Sequence, residues 1–301
     1  MTNPKRTDLR IRCIGTVAMD TLSAVRTAAI IGVTSRGIFL QAAEERVIFL
    51  SFEGYRGPLT ANLSGDLQPL RSLSPGGTVA ISQGRITFAD SGAISSTRDP
   101  ELWKPPHPVG PPLNSPDRRN LIRDLASEVY GHKGTVGLGK MLPTLADFGP
   151  KCATGDNRWQ DTRAQIDDIR SRIAQSDLLP LAQSVQSFLG LGSGLTPSGD
   201  DFVMGLLLTL NRWESVLRPG DALSIFNEEV VQAAYRHTTT LSANLIESAV
   251  LGLADERLIR AVDFLAAAEY RQSEVLPGLL NWGNSSGVDG LVGMITAFSP
   301  I

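Results

Sequence analysis

The chain has 301 residues, of which 42% are hydrophobic and 20% are charged, and its formal net charge is −3 at pH 7. A chain of this length and hydrophobicity buries enough surface to fold without disulfides or a metal, which excludes a disordered chain. A weakly acidic balance without a Lys/Arg run also argues against a nucleic-acid partner, because such proteins carry a basic face.

The N-terminal residues, the length of the apolar stretches and the cysteines together predict a cytoplasmic protein with no membrane partner. The first ten residues lack the apolar core of a signal peptide. The longest apolar stretch, near residues 202–210, is too short to span a bilayer. Cys13 and Cys152 are expected to be reduced thiols, and the three histidines lie too far apart for a zinc site of the usual kind.

The first part of the chain, residues 1–104, is predicted to form a β-rich domain. Short runs rich in Val, Ile, Phe and Leu alternate with Gly, Asp and Ser. Gln83-Gly84 separates two alternating runs and predicts a tight hairpin. We expect an antiparallel sheet with a barrel-like arrangement.

A proline-rich stretch follows and marks the predicted domain boundary. Seven of the 18 prolines lie between Pro100 and Pro116. Because proline fixes φ and lacks an N–H donor, this stretch is incompatible with a helix or a central strand. Residues 105–116 are therefore predicted to be a linker.

The remainder, residues 117–301, has helical periodicity and predicts a mainly α-helical second domain, so the fold class is α+β. Asp117 is expected to open a helix that Gly131 ends, and Asp177 and Asp255 are expected to cap later helices. The other predicted helices cover residues 158–174, 202–213, 221–253 (one or two helices), and 287–298.

The most informative segment runs from Gly190 to Asp201, with the sequence GLGSGLTPSGDD. Its glycines permit positive φ and close approach to a ligand. Thr196 or Ser198 is a candidate N-cap, with Pro197 suited to the first turn. Unpaired N–H groups at a helix start bind phosphate or carboxylate. A missing lysine excludes a Walker A loop, and the preceding helical pattern excludes a Rossmann fingerprint.

The acidic pair Asp200-Asp201 follows these glycines directly. Carboxylates there would hold an anion through a bridging Mg²⁺, or would accept hydrogen bonds from an amide NH₂ or a protonated group. The alternative interpretation is that Asp201 only caps the helix while Asp200 is solvated.

An echo of this helix start occurs near the end of the chain. The octapeptides beginning at Ser198 and Ser286 share the pattern S-G-x-D-x-x-x-G. Both octapeptides open an apolar helix that has a small residue one turn after its start. We therefore expect the two helix starts to converge, with Asp201 and Asp289 facing one pocket. A shared capping pattern without a common site is the alternative.

Three further polar features are candidates. Thr240 and Asn244 are spaced to share one helix face. His237 is either a general base or an ordinary surface histidine. Arg56, in the polar turn 54–62, is a candidate anion contact. The sequence leaves the roles of His237 and Arg56 open.

The Gly190–Asp201 segment, the later TTTLSANLIESA helix and SSGVDGLVGM together resemble the AllH-like family, a bacterial domain long of unknown function. The resemblance is sharpest over roughly the last 110 residues. It implies one subunit of an oxamate carbamoyltransferase in allantoin and purine nitrogen catabolism, working with FdrA-type and AllG-type subunits. Oxalurate and phosphate would give oxamate and carbamoyl phosphate. The resemblance assigns no catalytic residue.

From the residues themselves we predict that Asp200, Asp201 and Asp289 are catalytic. The predicted substrate-binding residues are Gly192, Ser193, Gly194, Thr196, Ser198, Gly199, Asn244, Ser286 and Gly287. The expected ligand is a small anion such as phosphate, carbamoyl phosphate or an oxamate-like acid.

Two other functions stay open. One is a stand-alone enzyme that uses Mg²⁺, the single cofactor under consideration, on a phosphorylated small molecule. The other is a non-catalytic scaffold or regulatory subunit, whose glycine-rich segment packs helices or binds an allosteric anion.

Overall fold

The computed structural model of the chain describes residues 8–42, 45–65, 67–82, 84–88, 94–96, 99–134, 136–149 and 157–299. The chain divides into two compact units, Met1–Pro106 and His107–Ile301. Strands dominate the first unit and helices the second, and each has its own hydrophobic core. The α+β class is therefore confirmed.

The first unit contains one curled sheet. Its described strands are β1 (Asp8–Gly15), β2 (Thr27–Thr34), β3 (Gly37–Gln41), β4 (Val47–Ser51), β5 (Thr60–Ser64), β6 (Thr78–Ser82), β7 (Arg85–Phe88), β8 (Ile94–Ser96) and β9 (Glu101–Trp103). Two helices accompany them, α1 (Thr16–Ala24) and α2 (Gln68–Arg71).

The sheet closes on itself. Its order is β5-β4-β3-β2-β6-β7-β8-β1-β9, and β1 also pairs back with β5. Most pairings are antiparallel as expected, but β1–β8, β1–β9 and β4–β5 are parallel. Burial alternates along β2 and β6, because successive side chains of a strand point to opposite faces.

Two details of the sequence prediction fall in this unit. Ser82 pairs with Arg85, which confirms a two-residue hairpin connection, although Gln83 lies outside the described residues. Cys13 is buried in β1, whereas Cys152 also lies outside the described residues. Strand β9 lies inside the proline-rich stretch and pairs with β1.

The second unit is helical. Its described α-helices are α3 (Ser115–Lys133), α4 (Leu142–Leu145), α5 (Asn157–Ala174), α6 (Leu178–Gln186), α7 (Ser198–Arg212), α8 (Glu214–Leu217), α9 (Leu223–His237), α10 (Thr240–Ala249), α11 (Glu256–Ala267), α12 (Gln272–Asn281) and α13 (Ser286–Phe298). A 3-10 helix covers Gly137–Met141. No helix among the described residues combines the length and hydrophobicity that crossing a membrane requires.

Several helix boundaries differ from the prediction. Helix α3 starts before Asp117, because the side chain of Asn114 caps it by accepting a hydrogen bond from the Asp117 N–H at 2.9 Å. The helix also continues through Gly131. The predicted cap at Asp255 is confirmed, since its carboxylate accepts from the Arg257 N–H at 3.0 Å. Helix α12 was not predicted, since Pro277 lies inside it.

Candidate functional site

The residues 190–197, called the glycine loop below, lie between α6 and α7. Three of its glycines have positive φ, namely 75° at Gly190, 121° at Gly192 and 102° at Gly194. A Cβ on Gly192 would stand 2.8 Å from the Ser198 nitrogen, so the loop folds back on the helix start. Glycine is required there by both the backbone conformation and the available space.

The backbone N–H groups of this region fall into two sets. The Gly199 N–H donates to the Leu191 carbonyl at 2.8 Å, and the next two N–H groups donate to the Pro197 carbonyl. The Gly190 N–H donates to Asp200 and the Leu191 N–H to the Phe188 carbonyl. No acceptor among the described residues takes the remaining six. These unpaired N–H groups belong to Gly192, Ser193, Gly194, Leu195, Thr196 and Ser198.

The capping residue of α7 differs from the prediction. Pro197 occupies the N-cap position with φ −54° and ψ 147°, and no side chain caps the helix. The proposed caps by Thr196 or Ser198 are therefore wrong. Backbone carbonyls satisfy the first turn instead, so both hydroxyls are available for other contacts.

Asp200 anchors the glycine loop. It is 2% exposed, so the alternative of a solvated Asp200 is wrong. Its Oδ1 accepts a hydrogen bond from the Gly190 N–H at 2.8 Å, and its Oδ2 accepts from the Thr238 hydroxyl. With both oxygens engaged inside the protein, this carboxylate holds the loop in place.

The threonine-rich segment supports the same loop from the α9–α10 turn. The Thr239 hydroxyl donates to the Leu195 carbonyl at 2.7 Å and also accepts from the Ser242 N–H, which caps α10. His237 is exposed at the end of α9. Of the one or two helices predicted over residues 221–253, the structure has two, because Thr238 has extended backbone angles that separate α9 from α10.

Asn244 lies further along α10 and is 1% exposed. Its side-chain amide donates to the Thr240 carbonyl at 2.9 Å and lies 3.4 Å from the Tyr235 hydroxyl. These contacts connect α9 with α10. They confirm that Thr240 and Asn244 share a face of α10.

Helices α7 and α13 cross in direct backbone contact. A Cβ on Gly205 would lie 2.1 Å from the Gly290 carbonyl oxygen, and a Cβ on Gly293 would lie 2.0 Å from the Phe202 carbonyl oxygen. Gly205 and Gly293 occupy the same position of the two S-G-x-D-x-x-x-G octapeptides, as do Phe202 and Gly290. The sequence echo thus corresponds to a reciprocal helix crossing.

The two helix starts meet above this crossing. The Thr196 and Ser286 hydroxyl oxygens are 3.3 Å apart. Ser286 also interacts with the Asp201 carboxyl, and Ser198 with the Asp289 carboxyl. Each octapeptide therefore contributes a serine to the aspartate of the other. Gly287 packs elsewhere, since a Cβ on it would meet the Leu279 carbonyl oxygen at 2.0 Å.

Asp201 and Asp289 are buried, with exposures of 1% and 0%. Burial raises the pKa of Asp201 well above its usual range, the Ser286 hydroxyl lowers it in part, and the charge of Asp289 raises it further. Burial raises the pKa of Asp289 to about 6, against the lowering effect of the Leu138 N–H. One oxygen of each carboxyl, Oδ2, has no hydrogen-bond partner. The environment of these two carboxyls therefore favours a state in which the pair retains a proton.

A segment that was not predicted from the sequence, residues 137–139, completes this pair. The Leu138 N–H donates to Asp289 Oδ1 at 2.6 Å. A Cβ on Gly137, whose φ is 53°, would lie 2.2 Å from the same oxygen. The G-x-G run at residues 137–139 was the available signal, but nothing local to it indicates a partner 151 residues away.

The last two features to locate are a possible metal site and the candidate anion contact Arg56. Within the described ranges, no three His, Cys, Asp or Glu side chains gather in a way that would hold a metal ion. Arg56 belongs to the first unit and forms an ion pair with Glu101 at 3.1 Å.

Comparison with protein-family models identifies the C-terminal part of the chain. Residues 188–298 match the family model described as oxamate carbamoyltransferase subunit AllH. No solved structure matches the chain. The matched residues begin before the glycine loop and end with α13, so they include both octapeptides. The resemblance noted in the sequence is confirmed over this segment.

Proposed function

We propose that the chain is a subunit of an oxamate carbamoyltransferase and binds a small anion at its glycine loop, because residues 188–298 match the AllH family model. In the proposed reaction, the bond between the carbamoyl carbon and the oxalurate nitrogen breaks. The carbamoyl carbon bonds to a phosphate oxygen, and the oxamate nitrogen takes a proton. FdrA-type and AllG-type proteins are the proposed partner subunits.

The unpaired N–H groups of the glycine loop carry this proposal. Five consecutive residues, 192–196, and Ser198 present donors that no described acceptor takes. Such donors suit phosphate or the oxamate carboxylate, and the start of α7 adds about 0.3–1 kcal/mol of attraction for an anion. Donors fixed before the reaction also stabilise an oxyanion that develops during carbamoyl transfer.

We assign the three aspartates a positioning role. Asp200 fixes the start of the loop through Gly190 and joins it to the α9–α10 turn through Thr238. Asp201 interacts with Thr196, and Thr196 contacts Ser286 at 3.3 Å, so the buried carboxyl pair sets the loop against α13. Their burial keeps these carboxyls from direct contact with a ligand arriving from solvent.

The Gly194→Val variant tests the proposal. Gly194 has φ 102°, and a Cβ there would meet no described atom within 4 Å. Valine disfavours positive φ, so the loop should change conformation while the core remains intact. We expect phosphate and oxamate binding, measured by calorimetry, to weaken at least tenfold.

Gly76 is a matched control in the first unit. Its φ is 95°, and a Cβ there likewise meets no described atom within 4 Å. Gly76→Val should lower the melting temperature to a similar degree and leave anion affinity unchanged. Equal affinities in the parent and Gly194→Val proteins would contradict the proposed site.

A further inference from the structure

A cavity of about 540 Å³ lies in the helical unit, and none of its lining residues belongs to the glycine loop. It is lined by the first turns of α3, by the α4 turn and by parts of α5, α8 and the end of α13. Four arginines line it, namely Arg118, Arg119, Arg123 and Arg170, against one acidic residue, Asp147. We propose that this cavity is a second anion site, which binds a small organic molecule carrying two or three negative charges on carboxylate or phosphate groups.

Arg118 is the buried element of the cavity. It is 9% exposed, and its guanidinium lies 5.0 Å from the centre of the Phe298 ring. Nη2 donates to the Leu113 carbonyl at 2.8 Å, whereas Nε is buried and has no hydrogen-bond partner. A buried cation with an unsatisfied donor is costly unless an anion compensates it.

The other arginines differ in how far carboxylates neutralise them. Arg123 and Asp147 form a long ion pair of 3.9 Å, and Asp147 is mostly exposed. Arg170 lies 3.3 Å from Asp167. Among the described residues, no carboxylate lies within ion-pair distance of Arg118 or Arg119. The lining therefore retains a net positive charge.

Two neutral residues line the same space. Thr144 is one of them, and its hydroxyl is buried without a hydrogen-bond partner. Ser115, the first residue of α3, is the other, so the start of that helix borders the cavity. Planar guanidinium groups beside a helix start form a donor set that fits carboxylate or phosphate oxygens.

Calorimetric titration of the full chain with malonate and with pyrophosphate tests the inference, at constant ionic strength. Arg119→Gln and Arg123→Gln alter exposed side chains, so both variants should fold. Each should weaken the tighter-binding probe about tenfold, as expected for a lost charge-assisted hydrogen bond. The probe that binds more tightly distinguishes a carboxylate ligand from a phosphate ligand.

Asp147→Asn provides the opposite change. Asp147 has φ 52°, which asparagine tolerates, and the substitution removes the acidic residue of the lining. Binding should tighten several-fold. Arg163→Gln is the matched control, because Arg163 lies on α5 outside the lining and pairs with Asp167 at 3.7 Å.

The outcome is independent of the glycine loop. Repeating the titration in the Gly194→Val background should leave cavity binding intact, whether or not that loop binds phosphate. The inference is overturned if neither probe binds at millimolar concentration. It is also overturned if Arg119→Gln and Arg123→Gln bind the probes as tightly as Arg163→Gln does.

Discussion

At the scale of residues, the central feature is a pair of buried carboxyls that belong to two different helix starts. Asp201 and Asp289 receive hydroxyl contacts from the opposite octapeptide, and each keeps one unpartnered oxygen. Two negative charges in such a place repel each other and lack hydration, so the pair favours protonation. The pair therefore links proton uptake to the stability of the helix crossing.

The first prediction concerns pH. The pKa of Asp289 is about 6 in the folded state, above its ordinary value of 3.8, so the folded state binds this proton more tightly than the unfolded state. The stabilisation that this bound proton gives to the folded state is present below pH 4 and is lost as pH rises through 6. A pKa difference of this size between the folded and unfolded states corresponds to about 3 kcal/mol of unfolding free energy.

Asp289→Asn should remove this dependence. Its side-chain oxygen can still accept from the Leu138 N–H, while the ionisable group is gone. The unfolding free energies of the variant and the parent are measured in urea at pH 4 to 8. The variant should become more stable relative to the parent as pH rises. Parallel curves for the two proteins would contradict the account.

Sequence alone was sufficient to single out these aspartates but not their environment. The S-G-x-D-x-x-x-G echo identified Asp201 and Asp289, because a repeated pattern is visible in one chain. The surroundings of Asp289 include Leu138 and Gly137, which are distant in sequence and contact it through the backbone. For the same reason, the anchoring of Asp200 by Thr238 was not predictable.

At the scale of elements, the crossing of α7 and α13 positions the glycine loop. The second prediction is that Gly205→Ala destabilises the protein. The added Cβ would lie 2.1 Å from the Gly290 carbonyl oxygen, so one helix must move. Such overpacking typically costs about 1–3 kcal/mol, which chemical denaturation would measure.

Gly131→Ala in α3 is the control for this prediction. A Cβ there meets no described atom within 4 Å, and the residue is exposed inside a helix. Alanine should stabilise the protein by roughly 0.5–1 kcal/mol. If both substitutions had the same effect on unfolding, close helix contact would not explain the glycines of the echo.

The third prediction concerns the α9–α10 turn. Thr238→Val removes the hydroxyl that donates to Asp200 and leaves a buried carboxylate oxygen unpaired. The loss should destabilise the protein by about 1–3 kcal/mol and speed hydrogen exchange of the Gly190 amide, which donates to the same carboxylate. An unchanged Gly190 exchange rate would argue against Asp200 as the anchor of the glycine loop.

Helices with strong periodicity were predictable, whereas irregular elements were not. The middle of α7 and most of α13 are apolar and lie in the core. Helix α1 was missed because it is a short segment between strands, and α12 because proline normally marks a helix end. Tertiary packing decides such segments.

At the scale of the whole molecule, the change from alternating runs to helical periodicity predicted the two kinds of structure correctly. The AllH match covers residues 188–298, within the helical unit. The resemblance to this family was visible in the sequence because the GLGSGLTPSGDD segment is long and specific. The proposed partner subunits rest on that resemblance alone.

The fourth prediction concerns assembly. The purified chain alone should bind phosphate or oxamate without converting oxalurate to carbamoyl phosphate. Adding FdrA-type and AllG-type proteins should produce conversion. The carbamoyl phosphate is measured as ATP formed in a coupled reaction with carbamate kinase. Activity of the chain alone would instead favour a stand-alone enzyme.

Amide chemical shifts of the glycine loop test the central claim most directly. With ¹⁵N-glycine labelling, the signals of Gly192 and Gly194 should move and saturate as phosphate or oxamate is added, since their N–H groups are the proposed donors. The signals of Gly76 and Gly131 should stay in place. If the Gly192 and Gly194 signals remained fixed at saturating anion, the glycine loop would not be the anion site.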